Sequence, residues 1–293
     1  MRIIDPHIHL WNIDRNPYPW LTGTHRQSFF GDYTSICRNY GLAEFDLDVG
    51  PIEVVKVVHV QANWDSADPV SETRWLQSLA DNDRLGRPHG VVAFVDLSLQ
   101  NAGAFLEAHL GFPNVRGIRQ TLHRAVLDPE APNYLDSPAW HKNLALLGPH
   151  GLSFDMMVFP QQMKQALEIV RKNPDILFVL EHTGCPHPRN EDLMITWEAG
   201  LKLLGAEPNA VVKISGVGMF MRNWSASTAR DIVLRAIDAF SPPKCMFASN
   251  FPVDSLMKGY GDIWRTFSMI VNDFSQNEQH MLFSKNAERY YRI

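Results

Sequence analysis

Short apolar runs bounded by turn residues recur along the whole chain and alternate with amphipathic stretches. The runs Ile3–Asp5, Val54–Val60, His89–Val95, Val115–Gln120, Leu152–Val158, Leu177–Glu181, Ala210–Ser215 and Cys245–Ser249 carry Val, Ile, Leu, Phe or Met at odd and even positions alike. A strand buried on one face alternates apolar with polar residues. A run apolar on both parities instead predicts a parallel strand covered on both faces. Between the runs, Gln161–Arg171 follows Phe159-Pro160, Ala226–Phe240 repeats apolar residues at helical spacing, and Gln276–Tyr291 closes the chain. These three segments are predicted helices. Eight strands alternating with helices over 293 residues predict an α/β fold, a single (β/α)8 TIM-type barrel spanning 1–293. No Pro-, Ser- or Gly-rich linker divides the chain. One connection is unusually long: the segment 11–50, between the first two strands, carries Pro17-Tyr18-Pro19-Trp20-Leu21 and Phe29-Phe30-Gly31-Asp32-Tyr33. Excess of that kind in a βα connection predicts a wall over the active site.

Bulk properties narrow the partners. The formal net charge is -5, so no basic excess exists to neutralise the phosphates of a nucleic acid. No apolar run is long enough to span a bilayer, and the first residues are expected to enter a strand directly, without a signal peptide. Cys37, Cys185 and Cys245 are scattered and odd in number, which fits a reducing compartment and no disulfide framework. The expectation is a cytoplasmic protein whose partner is a small molecule.

In such a barrel the chemistry stands at the C-terminal ends of the strands, because the interior below is packed with apolar side chains. The first run ends Asp5-Pro6-His7-Ile8-His9. In extended chain His7 and His9 point to the same side, so two imidazoles converge at the strand's mouth. The competing reading is a pair of histidines satisfied by ordinary hydrogen bonds; at the end of the first barrel strand the active-site reading is preferred. The sixth run ends Leu180-Glu181-His182-Thr183-Gly184, which sends His182 into the site or leaves it as a core histidine. Arg119 ends the fourth run and either meets a structural carboxylate or receives a substrate oxygen. Asp155 and Lys213, on the fifth and seventh runs, are candidates for substrate contact, or pair with each other. Gln61 follows the second run as a candidate hydrogen-bonder, and Trp20 in the long connection offers an aromatic wall.

The eighth run ends Ser249-Asn250-Phe251-Pro252-Val253-Asp254. Together with Asp5-Pro6-His7-Ile8-His9, Tyr18-Pro19-Trp20, Gly117-Ile118-Arg119, Glu181-His182-Thr183-Gly184 and Lys213-Ile214-Ser215-Gly216, it resembles the amidohydrolase superfamily over essentially the full length. The similarity is to the amidohydrolase-2 branch, which contains sugar-lactone and pyrone-dicarboxylate lactonases. That resemblance implies a hydrolase opening a lactone of a sugar acid or dicarboxylate. It implies His7 and His9 as metal ligands or carbonyl polarisers, His182 as a ligand or hydrogen-bond partner, and Arg119 against substrate oxygens. The branch usually has an aspartate, metal ligand and general base, where this chain has Asn250. An amide offers an acceptor oxygen and two donors but no base. No metal cofactor is therefore expected; a weakly held Zn2+, if present, would sit on His7, His9 and His182. Water would be positioned by His182 or Asp254. Three alternatives stay open: a metal-independent lactone isomerase, a decarboxylase or hydratase on the same scaffold, and a non-catalytic binding barrel.

Overall fold

The structure, a computed structural model, describes residues 2–24 and 26–293. Eight strands, β1 (Ile3–Ile8), β2 (Val54–Val60), β3 (Gly90–Ala93), β4 (Val115–Arg119), β5 (Ser153–Met156), β6 (Phe178–Leu180), β7 (Ala210–Ile214) and β8 (Cys245–Phe247), follow one another in sequence order in one parallel sheet. With helices packed between successive strands, this is a (β/α)8 TIM-type barrel. The two ends of the sheet meet beyond β8. There the chain leaves β7 and crosses to β1: Asn250 N donates to His7 O at 2.9 Å, and His9 N donates to Phe251 O at 2.7 Å. That crossing is why β8 stops at Phe247, short of the predicted Ser249. By contrast β1 runs past the predicted Asp5 to Ile8, with its register shifting at Pro6, which has no N–H to give the ladder.

The strand register sorts the side chains into two sets. Val58, Val60 and Val92 face one way, and so do Arg119, Asp155, Val179, Lys213 and Met246, each paired in register with a neighbour of the same set. The apolar members pack with Ile4 into a small core inside the barrel, closed from below by Ala287 and Tyr291 of the last helix. The polar members stand in the layer above. Room for Ser153 and Asp155 comes from Gly117, where a Cβ would lie 2.1 Å from Ser153 Oγ. The opposite faces of the strands meet the helices in a larger outer core that includes Val57, Phe154, Phe178 and Phe247.

Of the predicted helices, Ala226–Phe240 forms over that range. Gln161–Arg171 becomes a 3-10 turn, Pro160–Gln162, leading into a helix at Met163–Lys172, and Gln276–Tyr291 is broken by a π turn at Met281–Lys285. Trp20, Phe29, Phe30 and Tyr33, all from the long 11–50 connection, lie over the mouth of the barrel. No helix among the described residues is long and apolar enough to cross a membrane.

Candidate active site

Three strand exits carry most of the geometry. After β1 the chain brings His7 and His9 together, Nε2 to Nε2 at 3.2 Å. Asp5 holds this strand to the end of β8: one oxygen accepts from Ser249 N at 3.0 Å and the other from Tyr260 Oη at 3.0 Å. Burial pushes the Asp5 carboxyl up to about 6, and those hydrogen bonds oppose the rise. After β6 the chain turns through positive φ at His182 (51°) and Thr183 (57°), which swings the His182 ring to 4.7 Å, centroid to centroid, from His7. After β8 Asn250 also takes positive φ, 58°, and its Nδ2 donates to Asp254 Oδ1 at 3.0 Å. Left-handed backbone at a non-glycine residue costs free energy, and three such residues at two strand exits mark turns shaped to aim a side chain.

Beneath the histidines lies a buried charge cluster, of which Arg119 alone reaches the cavity. Glu181 Oε2 is 2.7 Å from Arg119 Nε; Oε1 is 3.2 Å from His7 Nδ1 and 3.7 Å from Lys213 Nζ. Lys213 Nζ meets Asp155 Oδ2 at 2.5 Å, and Tyr291 Oη donates to the same oxygen at 2.7 Å. Burial raises the Glu181 carboxyl above its ordinary value, and Arg119 and Lys213 oppose the shift. With a guanidinium in contact and an ammonium close by, it is anionic at neutral pH. Two cations and two anions, Arg119, Lys213, Glu181 and Asp155, thus balance inside the barrel.

The imidazoles above this cluster are neutral. Burial first, then the positive charges of Lys213 and Arg119, hold His7 well below the usual histidine range. Burial and Arg119 do the same for His9 and His182. His9 Nδ1 lies 2.7 Å from Val60 O, an acceptor only, so its hydrogen is on Nδ1 and Nε2 is a bare lone pair. His182 Nδ1 is 3.1 Å from Ser215 Oγ, leaving its Nε2 toward the site, 4.0 Å from Glu181 Oε2.

His9, Gln61, Arg119, His182, Asn250 and Trp20 line one cavity of about 620 Å³ at the mouth of the barrel. Four candidates do not line it. His7 lies behind His9. Lys213 and Asp155, candidates for substrate contact or for pairing with each other, pair beneath the histidines with no exposed side chain, so the structure puts them under the site rather than in the cavity wall. Asp254 sits behind Asn250, only 1% exposed, and burial raises its carboxyl to about 7 against the hydrogen bond from Asn250. Sequence reasoning passed over Glu181 as an acting residue, although an acid ending a buried apolar run is itself a signal. It also passed over His123, which lines the cavity from the loop after β4 and carries no such signal.

The amidohydrolase family model matches residues 4–293, and the chain belongs to this family of hydrolases. Protein y4mH of Sinorhizobium fredii is 39% identical, covering 99% of this chain and 98% of that protein. An L-fucono-1,5-lactonase of Burkholderia ambifaria is 25% identical over 99% of this chain and 95% of its own. A solved amidohydrolase of Burkholderia multivorans with bound zinc has a TM-score of 0.83, at 24% identity and full coverage of both chains.

Removing the charge of Glu181 alone would leave Arg119 and Lys213 opposed only by Asp155. Glu181→Gln is expected to destabilise the fold by about 3–5 kcal/mol, read as a lowered urea or thermal midpoint. An unchanged midpoint would show that the cluster is not balanced by Glu181.

Proposed function

We propose that this chain, acting as one domain over 1–293, hydrolyses a lactone of a sugar acid or a dicarboxylate. The observation that carries this reading is the convergence of Arg119 with the neutral imidazoles of His9 and His182 on one wall of a mouth cavity. The full-length similarity to an L-fucono-1,5-lactonase supports it. Ring-opening needs a polarised carbonyl and a delivered nucleophile. Arg119 Nε faces Glu181 and Nη1 reaches Gln61 O at 3.3 Å, so N–H groups remain for the lactone carbonyl oxygen. Water attacks the carbonyl carbon and gives a proton to His182 Nε2. The ring C–O bond then breaks, and that proton passes to the departing ring oxygen. Glu181, 4.0 Å away, stabilises the transient imidazolium. Asn250, held by Asp254 through Nδ2, presents Oδ1 as an acceptor that orients the water. Three free thiols fit a reducing, cytoplasmic setting.

The donor set fits a divalent metal. A tetrahedral ion bound to two imidazoles at ordinary zinc–nitrogen lengths separates their nitrogens by about 3.3 Å, against 3.2 Å between His7 Nε2 and His9 Nε2. His7, Glu181 and His182, whose ligand atoms lie within 4.8 Å of one another, would hold it together with His9 beside His7, and it would supply carbonyl polarisation and a more acidic water. Its hold is weak in this chain. Asn250 brings no charge, the charge of Glu181 is matched by Arg119 and Lys213, and both cations repel an incoming one.

Isomerisation of the lactone ring is the second reading, favoured by Asn250: without a carboxylate base, a hydroxyl of the substrate could replace water. A panel of aldono- and aldarolactones followed by NMR separates the readings. Free acid is expected, and His182→Gln should lower kcat by about 10²- to 10⁴-fold. Exchange of ring size without acid would favour the isomerase. Carbon dioxide release from an acid would favour a decarboxylase, and binding without turnover a non-catalytic barrel. Activity is also expected to survive chelation, and Asn250→Asp to raise Zn2+ affinity at least about tenfold by calorimetry. Activity abolished by chelator and restored by Zn2+ would overturn the metal-independent account.

A further inference from the structure

Among the described residues, Nε2 of Gln61 and Nδ1 of His123, two side chains of the cavity wall, are buried without a hydrogen-bond partner. Their residues are 1% and 8% exposed, and both line the cavity. A buried donor or acceptor left unmade costs about 1–3 kcal/mol, so side chains of this kind in a cavity wall point to a ligand that completes them.

His123 is held in place from two directions. The residue before it is pinned to the exit of β5, with Leu122 N donating to Met157 O at 3.4 Å and Gln162 Nε2 donating to Leu122 O at 2.9 Å. Its ring packs against Phe159, at 5.1 Å, and Phe29 of the long connection, at 5.6 Å, which also touch each other. Burial, with Arg119 and Arg124 nearby, pushes the imidazole down to about 3, so it is neutral and offers one donor and one acceptor. A hydroxyl group also offers one of each and pairs with either tautomer. A carboxylate accepts only and calls for a cation. Here the charge of Arg119 is matched by Glu181, and the other charged groups lining the cavity are Arg124 against two carboxylates, Asp65 and Asp96.

We infer that His123 is a specificity-determining residue that reads a hydroxyl group of the substrate, and that the substrate is a polyhydroxylated lactone rather than a dicarboxylate. The inference rests on the lactone reading above and narrows it. The amide of Gln61 supplies a further donor to the substrate oxygens. His123 takes no part in the proton transfer; it orients the ring for Arg119 and His182, so its loss falls on KM more than on kcat.

Calorimetry with two hydrolysis-resistant probes tests this: a polyhydroxylated sugar-acid lactam and the unsubstituted lactam of the same ring size. His123→Phe keeps an aromatic ring packed on Phe29 and Phe159 but removes both polar atoms. It is expected to weaken the hydroxylated lactam by about 10- to 100-fold, and the unsubstituted one by far less. His123→Asn returns a donor and an acceptor and should recover most of the loss. Equal weakening of both lactams, or unchanged binding of the hydroxylated one, would overturn the role of His123 even if wild type hydrolyses lactones. A His123-dependent difference in a protein that turns over no lactone would sink only the hydrolytic reading. Wild type binding neither lactam would overturn both.

Discussion

Arg119 and Lys213 stand inside the barrel with almost no access to water, and Glu181 lies between them and His7. An unpaired charge in such a place costs several kcal/mol, so Arg119 needs Glu181, and Lys213 needs Asp155 with Glu181 close by. The presence of Glu181 has consequences above. Arg119 is fixed in direction and its charge matched, which makes it a hydrogen-bond donor of fixed aim toward the cavity. The three histidines, surrounded by a balanced cluster, remain neutral and keep lone pairs available. From below, Tyr291 of the last helix reaches Asp155, so the chain's end completes the network that sets up the site.

The pair His7 and His9 links this network to metal. With hydrogen on His9 Nδ1, the two Nε2 atoms at 3.2 Å cannot both be bare without repulsion. Either His7 carries its hydrogen on Nε2 and its Nδ1 accepts from Lys213 at 3.4 Å, or a cation lies between the rings and the hydrogen faces Glu181. Lys213 and Glu181 therefore give His7 a partner in each state.

Much of this was legible in the residues. Runs apolar on both parities located the eight strands, because a barrel buries both faces, and polar residues after those runs fell at the mouth. Strand limits were less legible, since β8 ends where its chain crosses to β1, a long-range event with no local signature. The helices outside the three predicted, such as Pro69–Asn82 and Glu191–Ala206, carry mixed surfaces whose periodicity is weak. Lys213 and Asp155 read as substrate contacts or as partners of each other, because their residue types suit both roles. The structure pairs them across β6, one layer below the cavity. His123 carried no signal at all, because its burial depends on Phe29 from a distant loop.

Nitrogen-15 NMR of the imidazole side chains tests the balanced, neutral site most directly. His7, His9 and His182 are expected to hold constant shifts of neutral rings from about pH 5 to about pH 8, across the range where an ordinary histidine titrates. His9 should be the tautomer with hydrogen on Nδ1. Titration of any of these three with a midpoint near the ordinary histidine value, about 6.5, would contradict the account.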